Sequence, residues 1–594
     1  MPDRPAVVRT VRPRWPVLLV LGLALAGLGA PRPAWAEVFG DLSIEVEPAY
    51  AESISHGYTD YRLILVNRSA AIGHEVLLEF SSDSPGGRAA DIETIRRTVF
   101  VGPGAEVNVS LFQPYLSFDG DAIRVWIDGL LQPRPLALRS ALTYLRRTRN
   151  PLLFMDRSLD LDVFEEQLGI KHKSAYNRDL SITESSTQMG KWPTVWLGYS
   201  RYDGVIVAAR EFGQAPPEVK GALVRYVEAG GTLLMIGDGE VPPPWQAMVS
   251  QEDALRIHAV GFGRWMVFPG ADPRYLTESQ WKAIRRIWEE GAYFWSTEIT
   301  EEEANRRLPV TEGTGVPVRA MFLLIFVFTL AIGPVNLWVL SRLKRKIWIF
   351  WTIPLFSVLT CAVIFGYAAL AEGWNIIARS VSFTILDETT HRATTIGWAG
   401  FYSPLTYSEG FRFPTEAEVS LCASTYRYNR PTRSRQIDWG HVQRFGQGWL
   451  AARVPTHFLV RRCETRRERL TLNRLGDGGL AVVNGLGKRI KRLWLCDRAG
   501  RLYQGADLEP GQERRLSLDP GGRAASSLGE LRSLYVNDWL NRIREAGRSP
   551  GRLLVPGSYL AELEAAPFFE CPLANPAQLT EESVVLGLLK SDGE

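Results

Sequence analysis

The chain changes its hydrophobic rhythm several times, and each change marks a different kind of element. An apolar run from Val17 to Leu28 follows Arg4, Arg9, Arg12 and Arg14 and precedes Pro31, Pro33 and the triplet Ala34-Trp35-Ala36. Charge, a short apolar stretch and A-x-A form the pattern of a secretory signal, so residues 1–36 are expected to be a signal peptide cut before Glu37. Residues 37–136 then alternate with a period of two over Leu42–Val46, Tyr61–Val66, Val76–Phe80, Val107–Val109 and Ile123–Ile127, with Gly, Pro, Ser and Asp between the runs. Short strands at this spacing predict an immunoglobulin-like β-sandwich.

From 137 to 300 strand runs alternate with helical periodicity. Leu152–Met155, Gly204–Ala208, Thr232–Ile236 and Gly261–Phe268 are strand candidates, and Asp162–Leu168 and Pro216–Ala229 are helix candidates, the second stopped by Gly230-Gly231. This alternation predicts a parallel-sheet α/β domain. Trp281, Trp288 and Trp295 recur every seven residues with Ile284 and Ile287 beside them. They make an amphipathic helix that packs onto the α/β domain or, as the alternative, faces a membrane surface or partner.

After a linker at 301–315 come two long apolar stretches, Val316–Leu340 and Ile347–Leu370, joined by a turn rich in Arg342, Lys344, Arg345 and Lys346. Each stretch is long enough to cross the ~30 Å hydrocarbon core as a helix. The spans are placed at 316–340 and 347–371, and the positive-inside rule puts the loop 341–346 in the cytoplasm. A cytoplasmic turn and an exported N-terminal block require the same topology. Both large blocks are therefore expected on the periplasmic side of a bacterial inner membrane. Asn336 lies inside the first span, where a buried amide joins helices by hydrogen bonding, and neither span has an ionisable group at its centre, so the pair reads as an anchor. Residues 372–525 alternate again (Val381–Ile385, Gly479–Val483, Arg492–Leu495) and predict a second β-sandwich, with 526–594 a helical and irregular tail.

Charge and chemistry then narrow the function. Sixty-eight Lys and Arg against 65 Asp and Glu leave a net charge of +3, which argues against a nucleic-acid partner. Arg461, Arg462, Arg466, Arg467 and Arg469 form a dense basic run, expected to be a solvated strand face or, second, a surface for anionic lipid or envelope polymer. Cys422, Cys463, Cys496 and Cys571 lie in the exported C-terminal block, and their even number permits two disulfides in any of three pairings. Asp156 and Ser158 follow one strand and Asp238 follows another. Oxygen ligands at strand ends suit a hard cation such as Mg²⁺, while Asp and Ser in such places also serve as caps.

The strings Trp192-Pro193 to Gly198-Tyr199, Asp203-Gly204-Val-Ile-Val and Leu223-Val-Arg-Tyr226-Val-Glu-Ala-Gly230-Gly231 resemble class I glutamine amidotransferase-like domains. More closely they resemble the degenerate versions in uncharacterised bacterial two-span membrane proteins. Gly333-Pro334-Val-Asn336, Leu340-x-Arg342-Leu-Lys344-Arg345 and Trp351-Thr-Ile-Pro354 are similar to the helical hairpin of the same proteins. The resemblance implies an amidotransferase- or flavodoxin-like fold and an envelope role linked to MoxR-type ATPases. An active domain of that class needs a nucleophilic Cys with a His partner, yet the first Cys here is Cys361, inside the second span. The expectation is thus a non-enzymatic, membrane-anchored scaffold or accessory subunit that binds other envelope proteins. The alternatives are an accessory subunit of an ABC-type transport or secretion system and an enzyme acting on envelope carbohydrate.

Overall fold

The computed structural model describes residues 35–46, 56–81, 92–114, 122–137, 150–170, 179–243, 245–247, 249–252, 255–296, 299–310, 318–372, 376–422, 435–476, 479–519, 553–574 and 576–590. The signal region before Trp35 and the helix expected at Leu531–Ala546 lie outside them. The fold is mixed and sheet-rich, with two apolar helices between its halves.

The N-terminal strands form two layers over a shared core. Trp35–Phe39, Leu42–Val46, Tyr58–Asn67 and Glu106–Pro114 make a four-stranded antiparallel sheet. The facing sheet contains His74–Ser81, Thr94–Val101 and Ala122–Ile127, and three further strands come from beyond the apolar helices: Phe411–Pro414, Gln436–Trp439 and Val442–Phe445. Gln436–Trp439 pairs in parallel with Thr94–Val101, Ile437 opposite Ile95. Leu63, Leu65 and Leu111 from one layer and Leu78, Phe80, Ile95 and Ile437 from the other are fully buried in one core. The boundary expected near 136 is therefore crossed by sheet hydrogen bonds, and a strand-pairing partner more than 330 residues away in the sequence completes the layer. Tyr58 adds a second link, donating its hydroxyl to Gln443 and accepting from the backbone N–H of Val419.

The middle block is doubly wound. Its five parallel strands, Leu152–Met155, Ser181–Glu184, Gly204–Ala208, Thr232–Ile236 and Gly263–Phe268, lie in the order 2-1-3-4-5 when numbered along the chain. Leu255–Val260 and Val249–Glu252 extend the sheet antiparallel at one edge. Four of the five parallel strands, all but Ser181–Glu184, fall where the apolar runs predict them, because strands buried on both faces read as continuous hydrophobic segments. Helices Leu161–Gln167 and Glu278–Ser296 cover one face, where Phe164, Trp281, Ile284 and Trp288 pack with Leu153, Ile206 and Leu234. The Trp281/Trp288 stripe is thus core packing. The Trp288 indole lies so close to Gly204 that a Cβ there would come within 2.5 Å of it, so this strand position requires glycine. Helix Pro217–Glu228 covers the other face and ends as predicted, with Gly230 left-handed at φ 112°.

The C-terminal block is a nine-stranded sheet with Ile377–Asp387 near its centre, antiparallel to Arg392–Tyr402 and parallel to Gln578–Leu588. Residues 578–588 and 558–563 were expected in a tail. They are instead interior strands, because the run Val584–Leu588 is buried between neighbours rather than left at an edge.

The two apolar helices project from this assembly. Val318–Leu330 continues through a π-type widening at Ala331–Val335, next to Pro334, into Asn336–Arg342, and Ile349–Glu372 returns. The widening is the usual accommodation of a helix-interior Pro. Asn336 Nδ2 donates to Thr352 Oγ1 at 2.9 Å, the interhelical amide bond that its position predicts. Leu323, Phe326, Phe350, Leu355 and Phe365 are largely exposed on the outer surface of the hairpin. The segment that leads into the hairpin attaches to the nine-stranded sheet: His457 Nε2 contacts Leu308 O at 2.9 Å, and Arg379, on the strand that follows the hairpin, donates to Pro309 O at 3.0 Å.

The α/β block and the C-terminal sheet meet at the end of helix 217–228. Arg461 donates to Ala229 O and pairs with Glu418, and its guanidinium lies over the Trp196 ring. Arg392 pairs with Glu228 at 2.9 Å, and Trp245 Nε1 donates to the same carboxylate. Arg461 and Arg462 are buried, against the expectation of a solvated face, because Glu418 and Glu464 neutralise them inside the junction. Removing one partner of a buried pair strands the other charge, typically costing ~3–5 kcal/mol. Arg461→Met is therefore expected to lower the thermal midpoint of the purified chain sharply, and Glu418→Gln added to it is expected to restore much of the loss. An Arg461→Met chain that melts with the parent would remove the junction from the fold's energetics.

Candidate functional site

In a doubly wound sheet the place for ligands is the crevice at the carboxyl ends of the strands where the order reverses. Here that point lies between Leu152–Met155 and Gly204–Ala208, and Asp156 occupies it. Its backbone N–H donates to Ile206 O at 2.9 Å, tying the strand ends together. Its carboxylate accepts from Ser158 N–H and Oγ at 3.1 and 2.8 Å, and from Ala208 N–H at 3.4 Å. Asp156 is buried, and its oxygens are engaged in closing the turn. Asp238 follows the neighbouring strand but is exposed and paired with Arg256 at 2.8 Å. The three candidate cation ligands thus share one edge of the sheet. Asp156 and Ser158 bond to each other, and Asp238 turns to a surface cation. Among the described residues no three His, Cys, Asp or Glu side chains gather into a metal-binding group.

The cysteines are free thiols in the structure. Cys463 lies on Thr456–Thr465 and Cys496 on Ile490–Cys496, strands five steps apart in the nine-stranded sheet. At ~4.8 Å per step they are separated by about 24 Å, far beyond the reach of a disulfide. Cys422 follows the edge strand Ala417–Leu421, and Cys571 sits in a loop beside Phe411–Pro414, where Pro572 O accepts from Arg412 N–H. Burial pushes the Cys463 thiol up to about 12 and the Cys496 thiol up to about 11. Thiols of that acidity hold almost no thiolate near neutral pH, and the thiolate is the nucleophile.

Two buried acidic groups escape a sequence reading. His56 Nε2 meets Asp203 at 2.8 Å, and Asp203 also accepts from Leu152 N–H, so the pair fastens the N-terminal layer to the α/β sheet. Glu388 sits in the turn between Ile377–Asp387 and Arg392–Tyr402, where it accepts from Leu470 N–H at 2.8 Å and Tyr559 Oη–H at 2.9 Å. Desolvation outweighs these hydrogen bonds and pushes its carboxyl up to about 7 from an ordinary 4.5. No local pattern marks Glu388. Its burial comes from the small sheet Arg469–Arg474, Leu480–Gly485 and Glu513–Arg515 docking over the turn.

The basic turn is the remaining candidate. Arg342 lies 4.9 Å over the Trp338 ring and Arg345 5.3 Å over the Trp348 ring. Lys344 takes the left-handed conformation that ends the first helix, with its N–H on Ser341 O. Arg342, Lys344, Arg345 and Lys346 are all exposed.

No family model matches the chain, and a search among curated proteins gives no match.

Because the folded value of Glu388 lies above its ordinary one, the native chain holds a proton that the unfolded chain releases between pH 4.5 and about 7. The contribution is complete below pH 4.5 and is lost as pH rises through 7. The thermal midpoint is expected to fall across that window and the slope to flatten in Glu388→Gln. Parallel pH profiles for the two chains would contradict the assignment.

Proposed function

We propose that the protein is a membrane-anchored envelope scaffold, or an accessory subunit, that holds one composite binding unit on the extracytoplasmic face. The observation that carries this reading is the pairing of Gln436–Trp439 with Thr94–Val101 across the hairpin. Strands that share a sheet occupy the same compartment, and two adjacent spans return the chain to the side it left. Paired halves and an even number of crossings fit each other. The signal-like N-terminus and the basic turn then put the halves outside and the turn in the cytoplasm.

A binding role is supported by the outer face of the eight-stranded sheet. Phe100 and Leu131 are 68% and 56% exposed there; Leu131 lies opposite Trp126 and Trp126 opposite Leu77, while Phe100 stands diagonally from Leu77, opposite Glu75. An apolar strip on a solvated sheet marks an interaction surface. The absence of any Cys before Cys361 and the raised thiols of the C-terminal block weigh against amidotransferase-type chemistry. An accessory role beside an ATPase or ABC-type transporter uses the same surface and the same anchor.

With a protease site inserted at the turn, both fragments are expected to resist alkaline extraction from membranes and to co-purify in detergent after cleavage. Fragments that separate would refute the shared unit, and release at alkaline pH would refute the anchor. Phe100→Ser with Leu131→Ser is expected to reduce, several-fold, crosslinking of the intact chain to its envelope partners without lowering its thermal midpoint. Unchanged crosslinking would move the binding surface elsewhere.

A further inference from the structure

At the turn of the hairpin the two apolar helices do not close on each other completely. A cleft of about 340 Å³ lies between them, lined by Leu337, Trp338, Leu340, Ser341, Lys346 and Ile349. Its wall is mostly hydrocarbon and indole. The Ser341 hydroxyl already donates to Trp338 O, so the free donor at its mouth is the Lys346 ammonium. Around that mouth stand Arg342, Lys344 and Arg345, and none of the four cations has an ion-pair partner among the described residues. Several arginines of the C-terminal block are by contrast neutralised internally: Arg461 by Glu418, Arg462 and Arg466 by Glu464, Arg489 by Asp507, Arg492 by Glu562. The turn thus gathers four exposed cations, Arg342, Lys344, Arg345 and Lys346, with no ion-pair partner among the described residues. Stacking on Trp338 and Trp348 fixes the planes of Arg342 and Arg345 while leaving their N–H edges open to an anion.

From this geometry, and resting on the membrane-anchor reading, we infer that the turn is a binding site for an anionic phospholipid. One acyl chain lies against Leu337, Leu340 and Ile349, and the phosphate meets Lys346 and the stacked guanidinium groups. Both parts of the ligand are required by what is seen. An apolar cleft continuous with the spans takes a lipid chain, and four unpaired cations select a headgroup with net negative charge over a zwitterionic one. Each Lys or Arg at an anionic surface contributes roughly fivefold in affinity at moderate ionic strength. A soluble acidic protein would satisfy the charges but leave the cleft unfilled.

The test uses the full chain in nanodiscs containing equal amounts of phosphatidylglycerol and phosphatidylcholine, with the lipids retained after extraction counted by native mass spectrometry. The parent chain is expected to retain phosphatidylglycerol at least about fivefold over phosphatidylcholine. Arg345→Gln with Lys346→Gln is expected to bring the ratio close to one, and Lys346→Arg to keep it. Equal retention of the two lipids by the parent, or a preference unchanged in the double variant, overturns the site. Equal retention together with crosslinking of an acidic protein to the turn also overturns it and assigns the cations to that partner. Failure of the anchor reading looks different: the chain would stay in solution without detergent and would not incorporate into nanodiscs.

Discussion

The structure depends on one constraint: the two halves of the chain, interrupted by a pair of apolar helices, must build a single hydrogen-bonded assembly. Thr94–Val101 has no sheet neighbour on one side until Gln436–Trp439 arrives from the far side of the hairpin. Without that strand and its partners Val442–Phe445 and Phe411–Pro414, Ile95 and Phe80 would lose part of their cover, and Thr94–Val101 would be an open edge. The hairpin is thus a long excursion from a unit that closes only when the chain returns. Its roots obey the same constraint, since His457 and Arg379 of the nine-stranded sheet hold the Leu308–Pro309 segment beside the strand on which the chain returns.

The polar contacts between blocks follow from the need to bury helix ends. Helix 217–228 ends inside the molecule, where its last carbonyls need donors and favour positive charge. Arg461 supplies both to Ala229 O. Glu228 at the same end is unfavourable to the helix dipole. Burial raises its pKa, making it a weaker acid, and Arg392 and Trp245 hold it in place. The buried charges sort as positioning groups between blocks. Among the exposed charges, the hairpin turn groups four cations with no carboxylate partner among the described residues.

How much of this was legible in the sequence varies with the range of the interaction. Leu152–Met155, Gly204–Ala208 and Thr232–Ile236 are apolar runs bounded by Gly, Asp or Pro, and the structure places strands on those residues. Thr94–Val101 escaped because Arg96 and Arg97 break its apolar pattern, although Glu79 and the backbone of Ser110 take up those charges. Leu255–Val260 escaped because Arg256 and His258 make it resemble a surface segment. Arg461 and Arg462 read as solvated because a basic run looks the same whether or not acids from distant strands meet it. At the candidate site, the sequence offers Asp156 and Ser158 as cation ligands or as caps, and the structure shows Ser158 donating to the Asp156 carboxylate within the turn. The role of Glu388 and the linkage of the two halves depend on contacts over tens to hundreds of residues, which no local periodicity records.

The central claim is that both halves lie together on one side of a membrane and the basic turn on the other. Single cysteines placed at the exposed positions Leu131 and Leu518 and at Lys344 test it with a membrane-impermeant maleimide. Spheroplasts should label positions 131 and 518 above the background of the parent chain and leave 344 untouched, with the pattern reversed in inverted membrane vesicles. Labelling of 344 together with either half, or of 131 and 518 from opposite sides, would contradict the account.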